Sequence, residues 1–273
     1  TDRNRTSPFA FTGNKFELRA VGSSANCALP MTVLNTIVAD QLEKFKVSVD
    51  QRIHKGVGKD EAILKELQVL ITQSKNIRFE GNGYSDEWVD EAKKRGLSNL
   101  RNTPEALNVL NRKEVQDLFE NMGVLSKEEL GARVEVDLEN YILKRQIEYR
   151  VLLDMSRSTI LPAAIRFQSG LLTNVEQLNA VLGKEASKFS AAQMSMIQSA
   201  GSVIQELHGA SAKMEEVHDR AEGTKNALEK ARAYAEKVVP CMETVADCCA
   251  QLELMVDDAQ WPLPKFTELL FTR

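Results

Sequence analysis

A chain of 273 residues with 43% hydrophobic and 27% charged side chains can build one large core or two smaller ones beneath an ordinary solvated surface. A net charge of -4 leaves no basic excess for neutralising phosphates, so nucleic acid is not an expected partner. No run of about 18 apolar residues is present to cross a membrane. Only 6% of the side chains are aromatic, and Ala, Leu, Glu, Lys and Gln dominate the second half, a mixture that favours long helices over sheets.

Residues 1–28 have a character of their own. In KFELRAV, Phe16, Leu18 and Ala20 alternate with Lys15, Glu17 and Arg19, the period of two of a half-buried strand. Pro8 and Gly13 flank FAFT, which reads as a short strand or loop leading into it. A helix is predicted from Leu29 or Pro30 to about His54, with Val33, Leu34, Ile37, Val38, Leu42 and Phe45 on one face and Gly56 and Gly58 beyond its end.

From Asp60 the chain reads as helical almost throughout. KDEAILKELQVLITQSKN is amphipathic with acidic residues at its start. Ser85 and Gly96 bracket a short helix, Thr103 caps another with Pro104 at its first position, and Asn111 caps a third. Ser126 and Glu129 form a capping-box pattern before a helix that continues toward Gly170, with Pro162 kinking or dividing it.

From Val203 to Val256, sixteen positions alternate steps of four and three, with Thr224 as the one polar member. Because Thr224 adjoins Gly223, either a turn near 222–225 joins two antiparallel helices or a continuous helix is locally irregular. Pro240 marks a second kink or fray. The seam is rich in small residues and reads as the core of an antiparallel bundle. QWPLPKFTELLF closes the chain as an apolar tail expected to dock. The predicted divisions are 1–58, 59–125 and 126–273.

Few motifs carry chemistry. His54, His208 and His218 lack metal-ligand spacing and read as surface or helix-terminal residues. Cys27, Cys241, Cys248 and Cys249 match no zinc pattern and are expected to be reduced, mostly buried thiols of a cytoplasmic protein. No secretory leader is read at the start. Lys93, Lys94 and Arg95 form a solvated helix face, and GKEAS at 183–187 lacks the spacing of a phosphate-binding loop. The opening segment differs. Glu17 and Arg19 stand two apart on a strand and so share a face, where a carboxylate can hold a hard divalent cation and a guanidinium can neutralise a phosphoryl group. Arg3 and Arg5 can aim at the same place. The same pair also suits a surface salt bridge.

The stretch NRTSPFAFTGNKFELRAVGSSANCALPMTVLNTIVADQL resembles the end of the catalytic domain of glutamine synthetase, specifically its large type III class. It carries Asn4-Arg5, then Lys15-Phe16-Glu17-Leu18-Arg19, then Asn26 seven residues after Arg19, as that family does. The resemblance implies a mainly α chain: the last strand and loop of an α+β catalytic domain, followed by a large helical region of long antiparallel bundle helices. It implies that Glu17 binds one of two catalytic ions, Mg2+ or Mn2+, that Arg19 lies at the nucleotide and phosphoryl-transfer site, and that Arg5 supports the reacting phosphate or substrate carboxylate. It further implies ATP, glutamate and ammonia as substrates of the whole enzyme, and a homo-oligomer of hexameric rings. Ala10 stands where more familiar classes carry an Arg, and the distance from Arg5 to Glu17 is shorter than theirs. The family's other metal ligands are not located in this chain, so it reads as the C-terminal part of a longer enzyme, inactive alone and binding neither ion nor ATP tightly. The rival reading is a non-enzymatic helical oligomerisation or scaffold module.

Overall fold

The structure, a computed structural model, describes residues 26–79, 83 and 85–270, together with the backbone of 9–11 and 16–18. It is mainly α, as expected. The described strands are β1, Phe9–Phe11, and β2, Phe16–Leu18, which pair antiparallel with Ala10 opposite Glu17. The chain divides into two compact units, residues 1–101 with 109–132, and residues 102–108 with 133–273. The predicted segments 1–58 and 59–125 thus fall in the first unit, apart from 102–108.

In the first unit, α1 spans Ala28–His54. Its first turn is closed by the Asn26 side chain, which accepts a hydrogen bond from the Ala28 N–H at 2.8 Å, and Pro30 occupies a position where no helical N–H is required. Gly56, at φ +86, turns the chain back into α2, Lys59–Gln73, which packs on α1. Val49 and Ala62 are buried there, and the carboxylate of buried Glu66 accepts from Arg52 Nε and Nη2 at 3.0 and 2.8 Å.

α3, Asp86–Lys94, begins at Ser85, whose hydroxyl accepts from the Trp88 N–H, and stops before Gly96 at φ +77, both as predicted. α5, Lys113–Asn121, packs on α1 and buries Phe119. Its N-cap is Arg112 rather than Asn111, and the Arg112 side chain makes no capping hydrogen bond. Lys127, at the start of α6, Lys127–Asp154, reaches Asp117 at 2.7 Å and Glu120 at 3.0 Å on α5. Their hydrogen bonds push its ammonium up to about 12. The capping box at Ser126 and Glu129 is present in both directions.

Three long rods build the second unit. The first runs from α6 through a π-helical turn, Met155–Ile160, into α7, Leu161–Leu182. The second is α8, Ala186–Glu222, and the third joins α9, Ala227–Ala233, through a π turn at Tyr234–Val238 to α10, Val239–Met255. Partners on the first two rods run in opposite directions: Gln146 with Glu222, Ser156 with Ser211, Gln168 with Ile197 and Asn174 with Gln193. α8 ends at Glu222, and Asn226 caps α9 by accepting from the Glu229 N–H at 3.0 Å, so residues 223–226 are a turn and not an irregularity within one helix.

None of the sixteen seam positions is exposed, and Val203, Leu207, Met214, Val245, Leu252 and Val256 enter one core with Phe167, Ile160 and Trp261. Pro162 and Pro240 neither end nor fray their rods. Each follows directly on a π turn, where the widened backbone relieves the clash of the ring with the preceding turn and leaves its missing N–H without consequence. α4, Thr103–Asn108, packs on α9 and is tied there by Arg232 to Glu105 at 2.6 Å. Its cap is the Asn102 side chain, not Thr103. The tail docks only in part. Trp261 and Leu263 pack on the core, whereas Phe266, in the short α11, Phe266–Leu269, is 70% exposed.

Candidate functional site

The strand prediction around Glu17 holds, since this residue is the middle of β2 and stands in register with Ala10 of β1. Phe16 and Leu18 pair with Phe11 and Phe9, so the hairpin alternates an apolar set with the Ala10–Glu17 pair along its backbone. Arg5 and Arg19 lie outside the described residues, as does Arg3. One carboxylate on a strand supplies a single hard oxygen donor, whereas a magnesium or manganese site draws several ligands around the ion. Among the described residues no group of three His, Cys, Asp or Glu side chains is placed to hold a metal.

The most concentrated polar chemistry among the described residues lies in the second unit, where the rods meet near the 223–226 turn. The Glu222 carboxylate accepts from Tyr234 Oη at 2.5 Å and Gln146 Nε2 at 2.6 Å on one oxygen, and from Lys230 Nζ at 3.2 Å on the other. Burial alone would raise its proton affinity, but the hydrogen bonds from Tyr234, Gln146 and Lys230 overcome that and hold the carboxyl at about 2. Burial, reinforced by the bond to Glu222, pushes the Tyr234 phenol upward. A carboxylate and a phenol driven this far apart exchange no proton near neutrality, so the arrangement clamps three helices and does not serve as an acid–base pair.

His218 stands beside this clamp. Its ring stacks on Tyr149 at 3.8 Å between centroids and meets Tyr234 edge-on at 5.9 Å. Nδ1 lies 3.2 Å from Asp219 Oδ1, and Nε2 is buried without a hydrogen-bond partner among the described residues. The expectation of a surface or helix-terminal histidine is therefore corrected for His218, because two tyrosine rings offer a flat apolar slot that an imidazole fills. His54 does sit at a helix end, with Nδ1 2.7 Å from the Asp50 carbonyl oxygen, and His208 is exposed. Nothing in the sequence marks the clamp. Glu222 and Tyr234 are twelve residues apart across a turn, and only the turn and the π segment bring them together.

Open clefts lie among the described residues of the first unit. One, of about 430 Å³, is lined by Arg52, Lys65, Gln68, Val69, Thr72 and Gln73. Another, of about 570 Å³, is lined by Lys75, Asn76, Arg78, Glu91 and Arg95. Their cations are largely engaged: Arg52 by Glu66, Lys65 by Glu61, and Arg95 by Glu91 and the carbonyls of Asn76 and Arg78. All four cysteines are free thiols. Cys27 is exposed, unlike the buried thiols expected, whereas burial raises Cys248 and pushes Cys249 up to about 11. No helix among the described residues is long and apolar enough to cross a membrane.

Comparison with known proteins adds what this geometry leaves open. Residues 62–179 match the profile of the glutamine synthetase C-terminal domain. Over its whole length the chain is 44% identical to a glutamine synthetase of Bacteroides fragilis (strain YCH46) and covers 38% of that protein. It is 36% identical to a type-3 glutamine synthetase of Dictyostelium discoideum, covering 37%, and 32% identical to a glutamine synthetase of Butyrivibrio fibrisolvens, covering 38%. The chain thus spans well under half the length of these relatives.

Proposed function

We propose that the chain is a member of the glutamine synthetase family, the C-terminal portion of a type III enzyme that joins ammonia to glutamate through a γ-glutamyl phosphate at the expense of ATP. The observation that carries this reading is a 36% identical match to a type-3 glutamine synthetase that spans the entire chain. In the proposal Glu17 contributes one ligand to a catalytic Mg2+ or Mn2+, a group that would neutralise charge during phosphoryl transfer. Arg19 stabilises the transferring phosphoryl group and Arg5 the neighbouring phosphate or carboxylate. The donor set supports only a partial site, because a single strand carboxylate needs partners from elsewhere in the whole protein. The chain alone is accordingly inactive and binds ATP and metal weakly. The complete protein acts on glutamate, ammonia and ATP in the cytoplasm, as a homo-oligomer of hexameric rings.

The test compares γ-glutamyl transfer by the 273-residue chain with that of the full-length enzyme carrying the same segment. The chain should show none, and Glu17→Gln in the full-length enzyme should lower kcat by about a hundredfold or more. Robust activity of the isolated chain, or unchanged activity of the full-length Glu17→Gln variant, refutes the assignment.

A further inference from the structure

The cleft beside α3 gathers cations from two stretches of chain. Lys75 sits in the short turn Ser74–Ile77 that follows α2, Arg78 lies just beyond that turn, and Arg95 ends α3. Asn76 and Glu91 complete the lining of a space of about 570 Å³. Small-molecule sites commonly enclose about 300–1,000 Å³. We propose that this cleft is a binding site for a phosphate dianion, held by Lys75, Arg78 and Arg95.

Arg95 is already fixed in place. Its Nε donates to Glu91 Oε1 at 2.8 Å and its Nη1 to the Arg78 carbonyl at 2.9 Å, and its guanidinium lies 5.5 Å from the centre of the Trp88 ring. Trp88 in turn stacks on Phe79 at 3.7 Å. The backbone at Arg78 is thereby pinned to α3, which sets Lys75 and Arg78 at the cleft wall and lowers the ordering cost of binding. The end of α3 does not require these charges, because the N–H groups of Gly96 and Leu97 already donate to the carbonyls of Lys93 and Ala92 at 3.0 and 2.9 Å. Arg78 gives only Nη2, to the Ile71 carbonyl at 3.1 Å, and the Lys75 ammonium has no hydrogen bond or ion pair among the described residues. The hydrogen bond and charge of Arg95 hold the Glu91 carboxyl below the ordinary carboxylate range, so that carboxylate is committed to its partner. Among the described residues, three cations against one carboxylate leave a formal excess of two positive charges in the lining. A phosphate monoester carries about -1.5 to -2 at neutral pH and so matches that excess. Guanidinium groups offer its oxygens parallel N–H donors, and an ammonium adds a point charge.

Isothermal titration calorimetry of the full chain with ribose 5-phosphate, inorganic phosphate and succinate tests the site, with circular dichroism checking that each variant keeps its helix content. Ribose 5-phosphate should bind, and should bind more weakly as pH falls from about 7.5 to about 5.5, because a phosphate ester takes up its second proton near about pH 6. Lys75→Ala and Arg78→Ala should each weaken it about tenfold, the worth of one hydrogen bond to a charged group. Ribose 5-phosphate tighter than inorganic phosphate assigns the cleft to a phosphorylated small molecule, and the reverse order or equal affinity assigns it to the free ion; both sustain the site. Succinate bound as tightly as either phosphate overturns the assignment. Absence of binding up to about 10 mM, or an affinity unchanged when Lys75→Ala and Arg78→Ala are combined, overturns it equally.

Discussion

Replacing Glu222 with Gln isolates the charge in the clamp of the second unit while keeping an oxygen that Tyr234 can donate to. A carboxyl lowered from 4.5 to about 2 corresponds to roughly 3 kcal/mol of folding stability at full weight. The Glu222 side chain is 35% exposed, and solvent screening reduces this to about 1.5 kcal/mol. Its folded-state value is depressed, so the contribution is complete above the unfolded value of 4.5 and is lost as pH falls toward about 2. Urea unfolding followed through Trp261, in a Trp88→Phe background, reports on the second unit alone, because Trp88 lies in the first. Near neutral pH the Glu222→Gln variant should be less stable by about 1.5 kcal/mol, or roughly 3–6 °C in Tm. The gap should close between about pH 4.5 and about pH 2. Other depressed carboxylates, such as Glu105 and Glu215, give both proteins a common acid slope, so the difference between them is the diagnostic quantity. A gap that stays constant across this window, or that is absent at neutrality, refutes the electrostatic account of the clamp.

Two further outcomes follow from burial. Leu207→Ala removes a side chain with no exposed surface from the centre of the three rods and should cost about 2–5 kcal/mol by the same Trp261 readout. A loss below about 1 kcal/mol would mean that the seam collapses around the cavity. In mildly alkaline iodoacetamide, mass spectrometry should find exposed Cys27 alkylated well before Cys248 and Cys249, whose thiols burial keeps protonated. Equal rates at the three positions contradict the packing described for α10.

Local signals located most element ends because those ends depend on neighbours in the chain. Gly56 and Gly96 adopt positive φ at helix ends, and the Ser126–Glu129 box closes on itself within one turn, whereas the helix expected to run toward Gly170 continues past it to Leu182. Two caps fall one residue from where the sequence put them: Asn102 fits the capping pattern as well as Thr103 does, and Asn111 is taken up by the turn Val109–Asn111, which leaves Arg112 at the cap position. The proposed catalytic residues were legible only as a motif. Glu17 is placed in β2, while Arg5 and Arg19 fall outside the described residues.

The amino-acid order by itself determined that the chain is helical, where the 203–256 seam runs, and that a strand holds Glu17, because periodicities of 3.6 and 2 are written residue by residue. Only the tertiary structure decided that Gly223 begins a turn and that Pro162 and Pro240 are absorbed by π turns inside continuous rods. The sequence marks the breaks, but their form depends on the packing of α8 against both neighbouring rods. It also decided that Glu222, Gln146, Lys230 and Tyr234 meet, with His218 stacked beside them. Such a cluster joins two helices across a turn to a third far away in the chain, and no one-dimensional pattern encodes which polar residues that packing will enclose.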